Sequence, residues 1–151
     1  MDVICDDIST IFVDGKQKNV AGTGVWNQMA SLLIPSDTAV VGIKCRNTGG
    51  PYGIMAQVDN PAGKTVVVSD NSWKCSNQAQ EGWATGGFSE GAGWKPATVT
   101  NNQAPYLTNT GAWAGMSPDK KVIWTNSAAD TTVYCRKELP KRTGKYEMFS
   151  L

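Results

Sequence analysis

The strongest constraint on the fold is a two-residue rhythm that recurs in short stretches and never settles into a strand–helix alternation. In TIFVDGK, Ile11 and Val13 point one way and Phe12 the other, and Asp14-Gly15 supplies the turn. In TAVVGIKCRN, Ala39, Val41, Ile43 and Cys45 form one face, while Val40, Gly42, Lys44 and Arg46 form a mixed one. The cluster NTGGPYG then breaks the chain, and Ile54, Ala56 and Val58 alternate with Met55 and Gln57. Thr65 to Val68 is a β-branched run, and VIWTN and TTVYCRKEL read as two late strands joined by Ser127-Ala128-Ala129-Asp130. Short strands, frequent turn signals and no βαβ pattern predict an all-β chain folded as an antiparallel sandwich. At most one short helix is expected; the only helical hint is VWNQMASLLIP, where Val25, Met29, Leu32 and Leu33 fit a helical stripe that Pro35 stops. The region from Ser76 to Gln103 reads as long loops. The expected organisation is one domain over residues 1–139 and a polar, basic C-terminal tail over 140–151.

Composition narrows the function classes. The 151 residues hold six tryptophans and no histidine. Without imidazole there is no Ser-His or Cys-His nucleophile and no histidine-bound zinc. Tryptophan offers a broad apolar face with one N–H donor, which suits a sugar ring or a protein interface. A net charge of +1, from 14 basic and 13 acidic residues, gives no field that would favour nucleic acid. No apolar run approaches the roughly 18 residues of a membrane span. The opening MDVICDDIST carries neither the basic nor the apolar region of a signal peptide.

Four cysteines, at 5, 45, 75 and 135, contain no Cys-x-x-Cys pair. An even count suits two disulfides and a secreted, extracellular chain; four reduced thiols in a cytosolic protein are the alternative. Three pairings are open. The expected one is Cys5–Cys135, joining the ends, with Cys45–Cys75 joining two interior segments.

The order of motifs resembles a family. CDDISTIFVDGK resembles the strand that opens galactose-binding-domain-like jelly rolls. SLLIPSDTAVVGIKCRNTGGPYGIMAQV is similar to the link, buried strand and Asn-Gly-Gly loop that follow it there. VVVSDNSWKCS and FSEGAGWKPA resemble Trp-Lys motifs in accessory domains of bacterial α-L-rhamnosidases, and VIWTNSAADTTVYCRKEL resembles their late Trp and Arg-Lys strands. The likeness runs over most of residues 6–139. It implies an antiparallel jelly-roll β-sandwich of about eight strands that binds carbohydrate such as galactose- or rhamnose-type sugars, sometimes with calcium. The cysteines depart from the bacterial pattern.

Candidate binding residues follow from side-chain chemistry. Trp26, after the glycine-rich NVAGTG, is a candidate sugar platform; anchoring a helix in the core is the other reading. Trp83 in QEGWATGG and Trp113 in TGAWAGM sit among small residues and are expected to be exposed. Trp73, Trp94 and Trp124 are expected in the core. Asn71, in the SDNSW turn, and Asn102, in the Asn101-Asn102-Gln103 run, can donate to and accept from sugar hydroxyls, although each residue also suits a turn. Asp6 and Asp7 are a candidate calcium pair of hard oxygen ligands. Their spacing to Asp14-Gly15 is also similar to that in the calcium-using yeast adhesin domains of PA14 type, which have a different fold; a solvated turn beside Cys5 is the plain alternative. Glu81 and Glu90 would be the carboxylates of a glycosidase, but nothing in the sequence makes them converge.

Three functions are therefore expectations. The first is a secreted, non-catalytic, lectin-like protein, multivalent through self-association or tandem copies. The second is a structural or adhesive matrix module making protein contacts. The third is a small glycosidase.

Overall fold

The computed structural model describes residues 1–100 and 114–141. Its strands are Asp2–Asp6 (β1), Ile8–Val13 (β2), Lys16–Lys18 (β3), Ala30–Ser31 (β4), Val40–Arg46 (β5), Gly53–Asp59 (β6), Thr65–Val68 (β7), Lys74–Ser76 (β8), Lys95–Pro96 (β9), Thr98–Val99 (β10), Ile123–Trp124 (β11) and Thr132–Glu138 (β12). They form two antiparallel sheets packed face to face. One runs β4-β1-β6, with β7 and then β11-β10 on the far side of β6. The other runs β3-β2-β5-β12-β8-β9.

The two-residue alternation sets which side chains meet between the sheets. From the first sheet come Val3, Cys5, Ile54, Ala56 and Val58; from the second come Ile11, Val41, Ile43, Val133 and Cys135. Trp73 and Trp124 lie wholly inside this layer, as their sequence context predicts. Trp73 satisfies its indole N–H by donating to the Val68 carbonyl at 2.9 Å.

The Asp14-Gly15 turn forms as predicted. Val13 pairs with Lys16 across a two-residue loop, and Asp14 and Gly15 both hold positive φ, 48° and 80°. Glycine and aspartate tolerate that region, which matches the twist of a hairpin. The Asp14 carboxylate then accepts hydrogen bonds from the Ala39 and Val40 N–H groups at 2.9 and 3.0 Å, clamping the turn to the start of β5.

Three expectations are corrected. First, the helical stripe in VWNQMASLLIP does not become a helix; among the described residues there is none, within the expected limit of at most one. Residues 21–28 run as successive turns, and the chain from 30 to 34 is extended. Ala30, Leu32 and Ile34 turn inward while Ser31 and Leu33 face out, a period of two rather than 3.6.

Second, the disulfides are Cys5–Cys45 and Cys75–Cys135, not Cys5–Cys135 and Cys45–Cys75. The chain changes sheets at Asp6–Asp7, so Cys5 of β1 faces across the core toward Cys45 of β5. Cys75 stands directly opposite Cys135 on neighbouring strands, with Cα atoms 4.1 Å apart. One bridge therefore staples the sheets together and the other staples two strands of one sheet.

Third, Trp83 is buried at 8% exposure, not an exposed loop indole. Residues 77–94 fold across the outer face of the second sheet, where Trp83 stacks on Trp94 with centroids 5.8 Å apart. The edges of Phe12 and Tyr134 meet it at 5.2 and 5.4 Å. The outer face of β5 admits this ring because residue 42 is glycine. A Cβ there would lie 2.8 Å from the Trp83 ring and from the Ala84 methyl.

Candidate functional site

The loop over the second sheet is fastened by Arg136. Alternation along β12 sends Val133 and Cys135 into the core and Tyr134 and Arg136 outward, beneath the loop. The Arg136 side chain has no exposed surface. Its Nε donates to the Trp83 carbonyl at 2.8 Å, one terminal nitrogen donates to the Thr85 carbonyl at 2.9 Å, and the other pairs with the Glu90 carboxylate. Phe88 lies over the guanidinium at 5.4 Å. A buried cation is tolerated when it is paired and fully hydrogen-bonded. Glu90 is thus engaged in holding the loop, while Glu81 stands in solvent; the two have different surroundings, and nothing in the contacts brings them together across a cleft.

The acidic pair at the sheet crossing has a similar tying role. Asp6 is buried at 5% exposure. The Asp7 carboxylate accepts from the Thr48 N–H at 2.7 Å and from the Thr48 hydroxyl at 2.6 Å, pinning the loop after β5. Partial burial by itself would raise the Asp7 pKa. Hydrogen bonds from the Asp6 side chain and from Thr48 outweigh it and hold the group below the usual carboxylate range. Among the described residues no cluster of three or more carboxylate or cysteine side chains is arranged as a metal cage.

The other predicted binding residues are scattered. Trp26 is 39% exposed, in the run of turns between β3 and β4. Asn71 is exposed in the turn between β7 and β8, where Asp70 accepts from the Ser72 N–H at 2.8 Å. Trp113 and Asn102 lie outside the described residues. Trp26, Trp83 and Asn71 belong to three separate loops, and Trp83 faces inward.

A different site stands at one end of the sandwich. A cleft of about 520 Å³ opens between the extended segment after β4, the β6–β7 hairpin and the chain leaving β12. Its apolar lining includes Leu33, Ile34, Val58, Val66, Val67 and Leu139. Leu33 is completely exposed and Val66 is half exposed. The size falls within the roughly 300–1,000 Å³ range of ligand-binding clefts.

The walls are preformed because their polar groups are satisfied locally. Asp59 accepts from the Thr65 hydroxyl at 2.7 Å, and Asn60 accepts from the Lys64 N–H at 2.9 Å, closing the β6–β7 hairpin. On the opposite wall the Thr38 hydroxyl donates to the Pro35 carbonyl at 2.6 Å. The Leu139 N–H donates to the Ala39 carbonyl at 2.8 Å. What the described residues turn toward the cleft is largely hydrocarbon, with no aromatic ring among them.

Sequence reasoning misses this cleft because SLLIP also fits a helical period, which sets Leu33 on one stripe with Val25, Met29 and Leu32. Read with a period of two, Leu33 is an apolar residue at an outward position, and that was the available signal. Comparison of the chain with family models, curated proteins and solved structures finds no match.

Proposed function

We propose that this chain is a secreted, non-catalytic binding module that makes protein contacts, receiving an apolar segment of a partner in the cleft beside Leu33. The observation that carries this reading is a wholly exposed leucine at the mouth of a preformed apolar cleft. Isolated exposed apolar residues are ordinary, whereas a contiguous patch next to a concavity marks an interaction surface. Two disulfides support an oxidising, extracellular setting. Among the described residues no helix is long and apolar enough to cross a membrane. Among the described residues that line the cleft none is aromatic, which favours a peptide or protein segment over a sugar.

Panning a displayed peptide library against the full chain tests this. Enriched peptides should carry apolar residues and should bind Leu33→Asp at least about tenfold more weakly, a difference near 1.4 kcal/mol. No enrichment, or binding indifferent to Leu33→Asp, would reject the reading.

A second reading, a lectin-like module for galactose- or rhamnose-type sugars, is favoured by the half-exposed indole of Trp26 and by the galactose-binding-domain-like order of motifs. It requires an indole fluorescence response to neutral sugars that Trp26→Ala abolishes.

A further inference from the structure

An edge strand presents unpaired backbone groups, and this molecule guards most of its edges. β3, at one end of the second sheet, is Lys16-Gln17-Lys18, and β9, at the other end, is Lys95-Pro96. β7 shifts register against β6 between Val58 and Asp59. A lysine on an edge repels the lysine of an identical edge, a proline removes a donor, and a bulge twists the strand away. β10 leads into residues outside the described ones. β4, the last strand of the first sheet, carries none of these devices. It lies within residues 19–36, a stretch without a charged side chain.

We infer that β4 pairs with β4 of a second copy of this chain, joining two first sheets into one across a two-fold axis. The backbone decides which groups take part. Leu32 faces β1: its N–H donates to the Met1 carbonyl at 3.0 Å, and its carbonyl accepts from the Met1 amino group at 2.9 Å. Successive residues of a strand turn their backbone groups to opposite edges, so Ser31 and Leu33 aim theirs away from β1. No described residue pairs with them on that side. Ser31 is exposed, and Leu33 keeps its whole surface at 101% exposure, backbone included. With the axis at Leu32, Ser31 stands opposite the second copy's Leu33 and exchanges backbone hydrogen bonds with it, and the reciprocal pair does the same. A second copy suits this edge because an antiparallel strand complements itself and no like charges are brought face to face. The same pairing at β3 or β9 would set lysines against lysines. The pairing edge is on the far side of β4 from the β6–β7 hairpin that walls the cleft. A dimer formed there carries a cleft on each copy and requires neither to be filled.

Sedimentation velocity of the full chain at concentrations up to about 1 mM, the weak end of the affinity scale, tests this. The mass should rise with concentration from 16.2 kDa toward twice that value. Ser31→Pro deletes an outward N–H and leaves the Leu32–Met1 bonds in place, a substitution that an edge strand tolerates. It should weaken association at least about tenfold. Amide exchange on the wild-type chain gives a readout that no variant can spoil: the Ser31 and Leu33 N–H groups should exchange more slowly in the concentrated sample than in the dilute one. A monomer at every concentration would overturn the inference. So would a dimer that Ser31→Pro leaves intact, or one in which the Ser31 and Leu33 amides exchange as fast as in the monomer. Ser31 does not line the cleft, so peptide binding by Ser31→Pro reports on the cleft alone, and the two readings fail separately.

Discussion

Gly42 and Trp83 touch across the outer face of the second sheet so closely that a Cβ on residue 42 would lie 2.8 Å from the indole ring. The backbone there is an ordinary strand, so space rather than φ requires the glycine. Gly42→Ala should therefore overpack the Trp83–Trp94 stack and destabilise the fold by about 1–3 kcal/mol. A lowered denaturation midpoint together with a changed near-ultraviolet circular dichroism spectrum would show it. Gly87, with nothing near its would-be Cβ, serves as the control and should tolerate alanine.

Glu90 neutralises a guanidinium that has no access to water. Glu90→Ala leaves Arg136 with two carbonyls and a distant Glu138 carboxylate at 3.6 Å. Removing one partner of a buried pair typically costs 3–5 kcal/mol; with Glu138 nearby and Glu90 itself partly hydrated, about 3 kcal/mol is expected. Glu81→Ala, on the exposed part of the same loop, should change stability by less than about 0.5 kcal/mol. Urea denaturation of both variants checks the contrast, and equal effects would contradict the assigned role of Arg136.

Much of the β architecture was legible and its long-range pairing was not. Alternation placed Ile11, Val13, Ile43 and Cys45 correctly on an inner face, because side-chain direction in a strand is a local property. The same local rule could not say that β1 and β2, contiguous in sequence, belong to different sheets. That division decides which cysteines meet. Trp83 was misread for a related reason. Its neighbours Gly82, Gly86 and Gly87 specify a loop, and a loop says nothing about whether it lies over a sheet. The partner that buries Trp83 is a missing side chain 41 positions earlier, at Gly42. The cleft went unseen because one apolar run fits both periods.

Thiol titration of the denatured, unreduced protein should find no free thiol, since all four cysteines are bridged. Mapping of proteolytic fragments should link 5 to 45 and 75 to 135. Sequence separations of 40 and 60 residues give each bridge about 4 kcal/mol in the chain-entropy view. Reduction should accordingly lower the denaturation midpoint sharply.

Acid should loosen the crossing between the sheets. Asp7 has a folded-state pKa below its ordinary value of 3.8. A lowered carboxylate pKa contributes stability that is complete above the unfolded-state value and is lost as pH falls through the folded-state value. Stability from this source should therefore be flat from neutral pH to about 5 and should decline below about 4. Asp7→Asn, which cannot titrate, should show a shallower acid limb. An identical limb in the wild type and the variant would rule out Asp7 as a contributor.

Chemical-shift mapping on the full chain tests the protein-contact reading most directly. When a library-selected peptide is titrated in, the methyl signals of Leu33, Ile34, Val66 and Val67 should move together and saturate at one stoichiometry. Shifts confined to the Trp26 indole, or spread with no focus at Leu33, would contradict the assignment of the cleft as the binding site.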